Sequence, residues 1–226
     1  MPKRLDFILS NAGGASRSEV KTLIRRGHVC VDGEIIKDPS AQFDENVQIT
    51  VDGKPIDTTA TVYCIINKPA GYVCSNDGDD SVLKLIKPPL YRKDIFTVGR
   101  LDKDTTGLLI ITNDGTFAHS VTAPRRKIEK TYRATLSRPV TEDDIERFAE
   151  GIEPFAPAKL EKDGENAAFV TVTEGQFHEV KRLFAATGNE VLTLRRVSIG
   201  RLTLPDDLLE GDARALTDEE KNSIFV

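Results

Sequence analysis

Residues 99–115 read GRLDKDTTGLLIITNDG, a polar loop that runs straight into the apolar segment Leu108 to Ile111. Gly99 and Gly107 bracket the loop and permit backbone angles that a side chain forbids, while Leu101 and the run Leu108 to Ile111 anchor its ends in a core. The pattern holds Asp102 rigidly beside an apolar wall. A carboxylate so placed can serve as nucleophile or base, because partial desolvation raises its basicity and a nearby cation can keep it ionised. On residue type alone, Asp102 or Asp104 supporting a turn is the commoner use of aspartate here.

The chain reads as two halves. In the first, Leu5, Ile8, Leu9 and Ala12 recur at one helix face, and Gly13-Gly14 ends that helix. Ser16 and Glu19 have capping-box spacing and open a second helix whose apolar residues are Val20, Leu23 and Ile24 and whose stop is Gly27. Arg17, Lys21 and Arg25 recur every four residues along it as a basic stripe, which by itself is most simply a solvated face. His28 to Val31 alternates like a strand, Asp32-Gly33 is a hairpin signal, and Glu34 to Ile36 returns.

Residues 53–61 are polar, contain a proline and lack periodicity, so the linker is expected there, with freedom for the two halves to move. Beyond it, strands are expected at 62–66, 95–98, 107–112, 131–136, 168–173 and 191–199, and helices at Thr141 to Gly151, capped by Thr141, and at Glu179 to Thr187. Many strands with few helices between them predict an α+β fold with a mixed, largely antiparallel sheet. No glycine cluster has the spacing of a dinucleotide or nucleoside-triphosphate loop.

Composition narrows the setting. No apolar run approaches membrane-spanning length, and the N-terminus is too short and polar for a secretory signal, so a soluble cytoplasmic protein without membrane contact is expected. Cys30, Cys64 and Cys74 form no metal-like cluster with histidine and read as free thiols in a reducing compartment, with neither disulfide nor metal site. Taken as a sum, the net charge of −5 opposes a nucleic-acid partner, but its distribution does not. Up to residue 30, Lys3, Arg4, Arg17, Lys21, Arg25 and Arg26 face only Asp6 and Glu19, while the acid concentrates after residue 205. Phosphate binding depends on the local basic surface rather than the sum.

The 99–115 segment resembles the active-site run of the RsuA-type ribosomal pseudouridine synthases. INKPAGYVCS at 66–75, KTY at 130–132 and EGQFHEVKRLFAATGNEVLTLRRVSIG at 174–200 resemble the same family in the same order, and RLD…ASRSEVKTLIRRGHVCVDGEII resembles the S4 RNA-binding domain. The resemblance implies an S4-like α/β domain over 1–58, a synthase domain over 62–226, and isomerisation of a uridine in ribosomal RNA. Length leans toward 16S rRNA, in a small-subunit assembly intermediate, over 23S. A non-catalytic ribosome-assembly protein of the same shape is the alternative of a different class.

What the resemblance implies for the site is specific. Asp102 is the catalytic aspartate, acting as nucleophile at C1′ or as base at C2′. Tyr132, otherwise read as a core tyrosine, packs on the target base. Lys181 is the cation paired with the aspartate, with Arg182 as its rival, and either is otherwise an exposed helix cation. His178 is expected to bond structure or RNA rather than move protons. Arg100 would hold the flipped nucleotide and Lys68 would touch phosphate. Arg125 and Arg126, with Lys127, Lys130 and Arg133, would form an RNA rim, and Arg4, Arg17, Lys21, Arg25 and Arg26 would bind RNA from the first domain. The isomerisation is redox-neutral and transfers no outside group, so no cofactor is expected, and nothing demands more than a monomer.

Overall fold

The computed structural model describes residues 2–12, 17–44, 47–58 and 61–225. They divide into two compact units, one comprising the chain up to Val62 with Ile86–Ile95, the other Tyr63–Leu85 with Phe96 onward. The contiguous second domain expected from the sequence is therefore interrupted. Arg92, buried within the 86–95 excursion, donates from Nη2 to the carbonyl of Asp57 at 3.1 Å, which ties the segment to the first unit.

The first unit contains β1 (Lys3–Arg4), α1 (Leu5–Asn11), α2 (Arg17–Arg25), β2 (Val29–Val31), β3 (Glu34–Ile35), β4 (Gln42–Phe43), β5 (Ile49–Val51) and β6 (Lys54–Ile56). Leu5, Ile8 and Leu9 from α1 meet Val20 and Ile24 from α2 over Val29, Val31 and Ile49, so the two helical stripes read from the sequence close on one small sheet. The expected cap at Ser16 and stop at Gly13-Gly14 lie outside the described residues.

That sheet runs β3-β2-β5-β6 and is antiparallel throughout. Two hairpins build it. Asp32-Gly33 turns with φ of 49° and 87°, and Asp52-Gly53 repeats the geometry with 50° and 74°, the doubly positive φ that a two-residue hairpin turn requires. The second hairpin corrects the linker expectation, because Lys54–Ile56 pairs with Ile49–Val51 instead of starting a free segment. Pro55 is tolerated since β6 is an edge strand and owes the sheet no amide there.

The second unit contains β7 (Tyr63–Lys68), β8 (Phe96–Val98), β9 (Thr106–Thr112), α3 (Gly115–Thr122), β10 (Lys130–Leu136), α4 (Glu142–Glu150), β11 (Lys159–Lys162), β12 (Ala167–Val172), α5 (Glu179–Ala186), β13 (Val191–Ile199), β14 (Leu202–Thr203), β15 (Ala213–Ala215) and α6 (Asp218–Ser223). Its sheet runs β11-β12-β10-β13-β9-β7-β15, with β14 beside β13 and β8 beside β9. Every pairing is antiparallel except β13 on β9, where Arg195 faces Thr106 and Arg196 faces Gly107. The fold is thus α+β with a mixed, largely antiparallel sheet.

The parallel junction positions the site. The loop that reaches β9 arrives at the same end of the sheet as β13, and β9 itself is apolar on both faces from Leu108 to Ile111, so it sits at the centre of the core. Thr141 caps α4 in a reciprocal box with Asp144, as its position suggested, and Phe148 and Phe184 join α4 to α5 with ring centroids 5.1 Å apart.

Candidate active site

Between β8 and β9 the chain turns at Gly99, with φ of 74°, and enters β9 through Gly107, with φ of 99°. Gly107 has a second constraint: a Cβ there would lie 2.2 Å from the carbonyl oxygen of Arg196, so only glycine lets β9 lie against β13. Leu101 is buried and its amide donates to Cys74 Sγ at 3.3 Å. Beneath the loop, the fully buried Lys68 sends Nζ to the carbonyls of Pro69 (3.2 Å), Asp102 (3.0 Å), Lys103 (3.3 Å) and Thr105 (2.8 Å). Lys68 is therefore no phosphate ligand, which corrects the role expected for it. Its ammonium replaces lost hydration with backbone carbonyls and fixes the loop, and burial draws its pKa below the usual lysine value.

Asp102 rises from this pinned loop with its side chain 27% exposed. His178 Nε2 lies 3.3 Å from Oδ1 and Lys181 Nζ lies 3.5 Å from Oδ2. Lys181 is closer still to Asp104, at 2.7 and 2.8 Å from its two carboxylate oxygens, and holds that carboxyl below the ordinary aspartate range. Arg182 goes elsewhere: its guanidinium sits 4.6 Å over the ring of Phe155. Neighbouring residues on a helix point about 100° apart, so α5 can turn only one of these cations toward Asp102.

His178 precedes α5 in the left-handed conformation, with φ of 51°, a backbone state that non-glycine residues adopt sparingly and that recurs at functional sites. Phe177 beside it is 75% exposed and stacks on the His178 ring at 3.8 Å. Glu179, buried at the helix start, accepts the amides of Gly175 (2.6 Å) and Gln176 (2.8 Å), and so fixes the turn that delivers His178. Burial pushes the Glu179 carboxyl up, against the lowering effect of those amides.

The other wall of the cleft is the sheet. Tyr132 on β10 is nearly buried and lies opposite Arg196 on β13, whose guanidinium carbon is 6.0 Å from the tyrosine ring centre. Lys130, expected on an RNA rim, is instead buried, with Nζ donating to the carbonyls of Ile128 (2.9 Å) and Thr173 (3.3 Å). The inward face of β10 takes residues 130, 132 and 134, so Lys130 shares the side of Tyr132 while Arg133 faces out. Arg196 escaped the sequence reading. Its signal was the alternation of Leu194 and Arg196 on a strand that must be half buried, a phase that the bulge between Arg196 and Ser198 shifts before Ile199. One cleft thus gathers Asp102, His178, Lys181, Tyr132 and Arg196, with the exposed Arg100 at its edge.

Residues 62–186 match the RNA pseudouridylate synthase family, and residues 3–49 match the S4 domain. Ribosomal small subunit pseudouridine synthase A of Yersinia pestis is 40% identical over 230 residues, covering 98% of this chain and 97% of that protein. The chain belongs to the RNA pseudouridylate synthase family. YtzG of Bacillus subtilis, described as an uncharacterized RNA pseudouridine synthase, is 38% identical over 229 residues, covering 96% of each chain. A crystal structure of a pseudouridylate synthase superposes with a TM-score of 0.70 at 38% identity, over 98% of this chain and 99% of that one.

The remaining cations of this synthase are distributed unevenly. Arg125 and Arg126 are exposed on the short turn after α3, as are Arg25 and Arg26 at the end of α2. Arg4, Arg17 and Lys21 converge on the buried Asp6. Arg4 pairs with both carboxylate oxygens at 3.0 Å, and Arg17 and Lys21 approach Oδ2 at 3.8 and 3.9 Å. Arg4 above all holds the Asp6 carboxyl below its usual range. Part of the basic stripe is therefore balanced by one carboxylate that the four-residue spacing could not reveal. Among the described residues no cluster could hold a metal ion, and no helix is long and apolar enough to cross a membrane.

Proposed function

We propose that this synthase converts a uridine of 16S rRNA to pseudouridine in a small-subunit assembly intermediate, working as a cytoplasmic monomer with Asp102 as its reacting carboxylate. The observation that carries the reading is the setting of Asp102: a loop held from below by Lys68, with His178 and Lys181 at the carboxylate and Tyr132 across the cleft. All of these groups come from one chain. The choice of 16S rRNA rests on relatives such as the Yersinia pestis small-subunit enzyme, aligned along nearly the whole length.

The chemistry fits one aspartate. The bond from ribose C1′ to uracil N1 breaks, the base turns within the cleft, and C1′ bonds C5. Asp102 either attacks C1′ or removes the C2′ proton, while Lys181 and His178 orient the carboxylate. Tyr132 packs on the uracil, and Arg100 holds the flipped nucleotide at the cleft edge. Lys68, fully buried beneath the loop, is excluded from RNA contact, while Lys130 is turned from the outer rim into the cleft and Arg182 is turned onto Phe155. A stacked uridine cannot reach such a cleft, so the target is flipped out, at a cost of a few kcal/mol that is least for an unpaired base.

The deciding experiment is tritium release from 5-tritiated uridine in 16S and 23S rRNA, naked and as ribosomal particles. Release from the small-subunit material supports the proposal. Release from 23S alone moves the substrate to the large subunit, and no release from any RNA despite tight binding favours an assembly factor.

The S4 unit supplies docking by charge. Replacing Arg17, Lys21 and Arg25 together with glutamine leaves Arg4 to balance Asp6, so the unit keeps its fold. We expect KM for rRNA to rise roughly tenfold at physiological salt, kcat to stay constant, and the dependence of log affinity on log salt to flatten by about two. Unchanged KM and salt slope would remove the stripe from the RNA interface.

A further inference from the structure

Arg196 is the buried charged group that the proposed chemistry has not yet used. It is 2% exposed, its Nε donates to the carbonyl of Leu108 at 2.8 Å, and its Nη2 is buried with no hydrogen-bond partner among the described residues. A lysine could shed its proton to escape such a position, but a guanidinium keeps its charge at any pH a protein tolerates. The cluster around it supplies no relief. Lys130 is a second buried cation on the same sheet face, and Glu179, a buried carboxylate lining the same cleft, spends its Oε2 on the amides of Gly175 and Gln176. A buried cation with a free donor that lines the substrate cleft is a site waiting for an anion or a strong acceptor.

We propose that Arg196 is a catalytic residue that stabilises the uracil anion formed when the glycosidic bond breaks. The proposal rests on the reading of Asp102 and Tyr132 given above. Tyr132 marks where the base lies, and Arg196 is its cross-strand partner, so Nη2 borders the base rather than the sugar. When C1′–N1 breaks, the electron pair leaves on N1, and the charge spreads onto the two uracil carbonyl oxygens. Asp102 loses its own negative charge at the same moment, either by bonding C1′ or by taking the C2′ proton. Negative charge thus moves from the Lys181 and His178 end of the cleft to the Arg196 end. A donor fixed in advance where charge develops, in a site shielded from water, is the arrangement that lowers such a barrier most.

The shape of uracil adds a reason for a single donor. A half-turn about the line from N3 to C6 exchanges N1 with C5 and, with them, the 2- and 4-carbonyl oxygens. One fixed guanidinium can therefore hold O2 before the turn and O4 after it. C5 then attacks C1′, the carboxylate departs with its electron pair or recovers its charge by returning the C2′ proton, and C5 gives its hydrogen to solvent as a proton while N1 takes a proton up, so the product is an isomer of uridine.

The test compares leaving groups. A 5-fluoro substituent withdraws electrons and stabilises the uracil anion without help, so the need for Arg196 should shrink. Wild type, Arg196→Gln and Arg196→Lys are assayed under single turnover with rRNA containing uridine or 5-fluorouridine, and C5-linked nucleoside is quantified by mass spectrometry after nuclease digestion. Arg196→Gln should slow conversion of uridine by about 100-fold and of 5-fluorouridine by less than about 10-fold, with RNA affinity unchanged. Arg196→Lys, which keeps a cation, should lose less and show the same narrowing. It carries the test if the glutamine variant fails to fold. An equal loss on both substrates would assign Arg196 a structural role, and activity within threefold of wild type on uridine would remove it from the reaction. An inactive wild-type protein would instead sink the Asp102 reading on which the inference rests.

Discussion

Replacing Asp102 with asparagine should abolish pseudouridine formation while leaving the fold and RNA binding intact. Asparagine matches aspartate in shape, and its carbonyl oxygen can still accept from Lys181, which stands 3.5 Å from Oδ2 in the wild-type protein. It can neither attack C1′ to form an ester nor remove a proton from C2′. Removing a reacting group of this kind costs on the order of 10⁴-fold or more in kcat, so single-turnover tritium release should fall below detection. The loop itself does not depend on the carboxylate, because Lys68 and the Cys74 contact hold it through backbone groups. The melting temperature and rRNA affinity are therefore expected to stay at wild-type values. Residual turnover above about one per cent of wild type would show that another group does the chemistry, since a spectator carboxylate is worth far less than that.

Lys181 is divided between two aspartates, and the division matters to Asp102. Its shorter bonds go to the exposed Asp104, so in the free protein Asp102 receives a longer, weaker contact from Lys181 and a second one from His178. A cation near an aspartate orients it, but a full ion pair would also occupy the oxygen lone pairs that the proposed chemistry needs. Sharing the lysine moderates the pairing without removing the charge that orients Asp102.

The sequence made some of this legible through local chemistry. The helical stripes of α1 and α2, the Asp32-Gly33 hairpin and the Thr141 cap follow from spacing that short-range physics enforces, and the glycines around residues 99–107 announced a constrained loop. Other local signals were present and passed over. Asp52-Gly53 repeats the first hairpin turn, and Thr217 with Glu220 forms the same capping box as Thr141 with Asp144, opening α6. Asp114 caps α3 by accepting the amides of Thr116 and Phe117. What no spacing could disclose depends on pairing between distant strands. Lys68 and Lys130 look like surface cations until β7 and β10 take interior places in the sheet, and Arg196 becomes a cleft residue only because β13 lies between β10 and β9. The choice between Lys181 and Arg182 likewise needed the rotation of α5 about its axis.

Lys68 offers the sharpest contrast between the two ways of reading a cation. Changing it to methionine keeps the length and apolar stem but removes the ammonium that serves four backbone carbonyls. Those of Asp102 and Lys103 retain a second donor, from the amides of Thr105 and Gly71, whereas that of Pro69 has none among the loop and turn hydrogen bonds of the described residues. Relief from burying a charge offsets part of the loss, because a buried ammonium is itself costly to desolvate. Charge-assisted bonds of this kind contribute about 1.5–3 kcal/mol each and are not additive, so a net destabilisation of about 3 kcal/mol is expected. In a unit of this size that lowers the melting temperature by roughly 6–12 °C. With the floor of the loop released, Asp102 need shift by only about 1 Å to slow the reaction on the order of 100-fold, and kcat should fall while rRNA affinity holds. A phosphate-binding lysine would behave in the opposite way: weaker rRNA binding, a salt dependence flatter by about one unit, and an unchanged melting temperature. Thermal melts and salt titrations of one variant therefore decide whether Lys68 faces the RNA or carries the floor under Asp102.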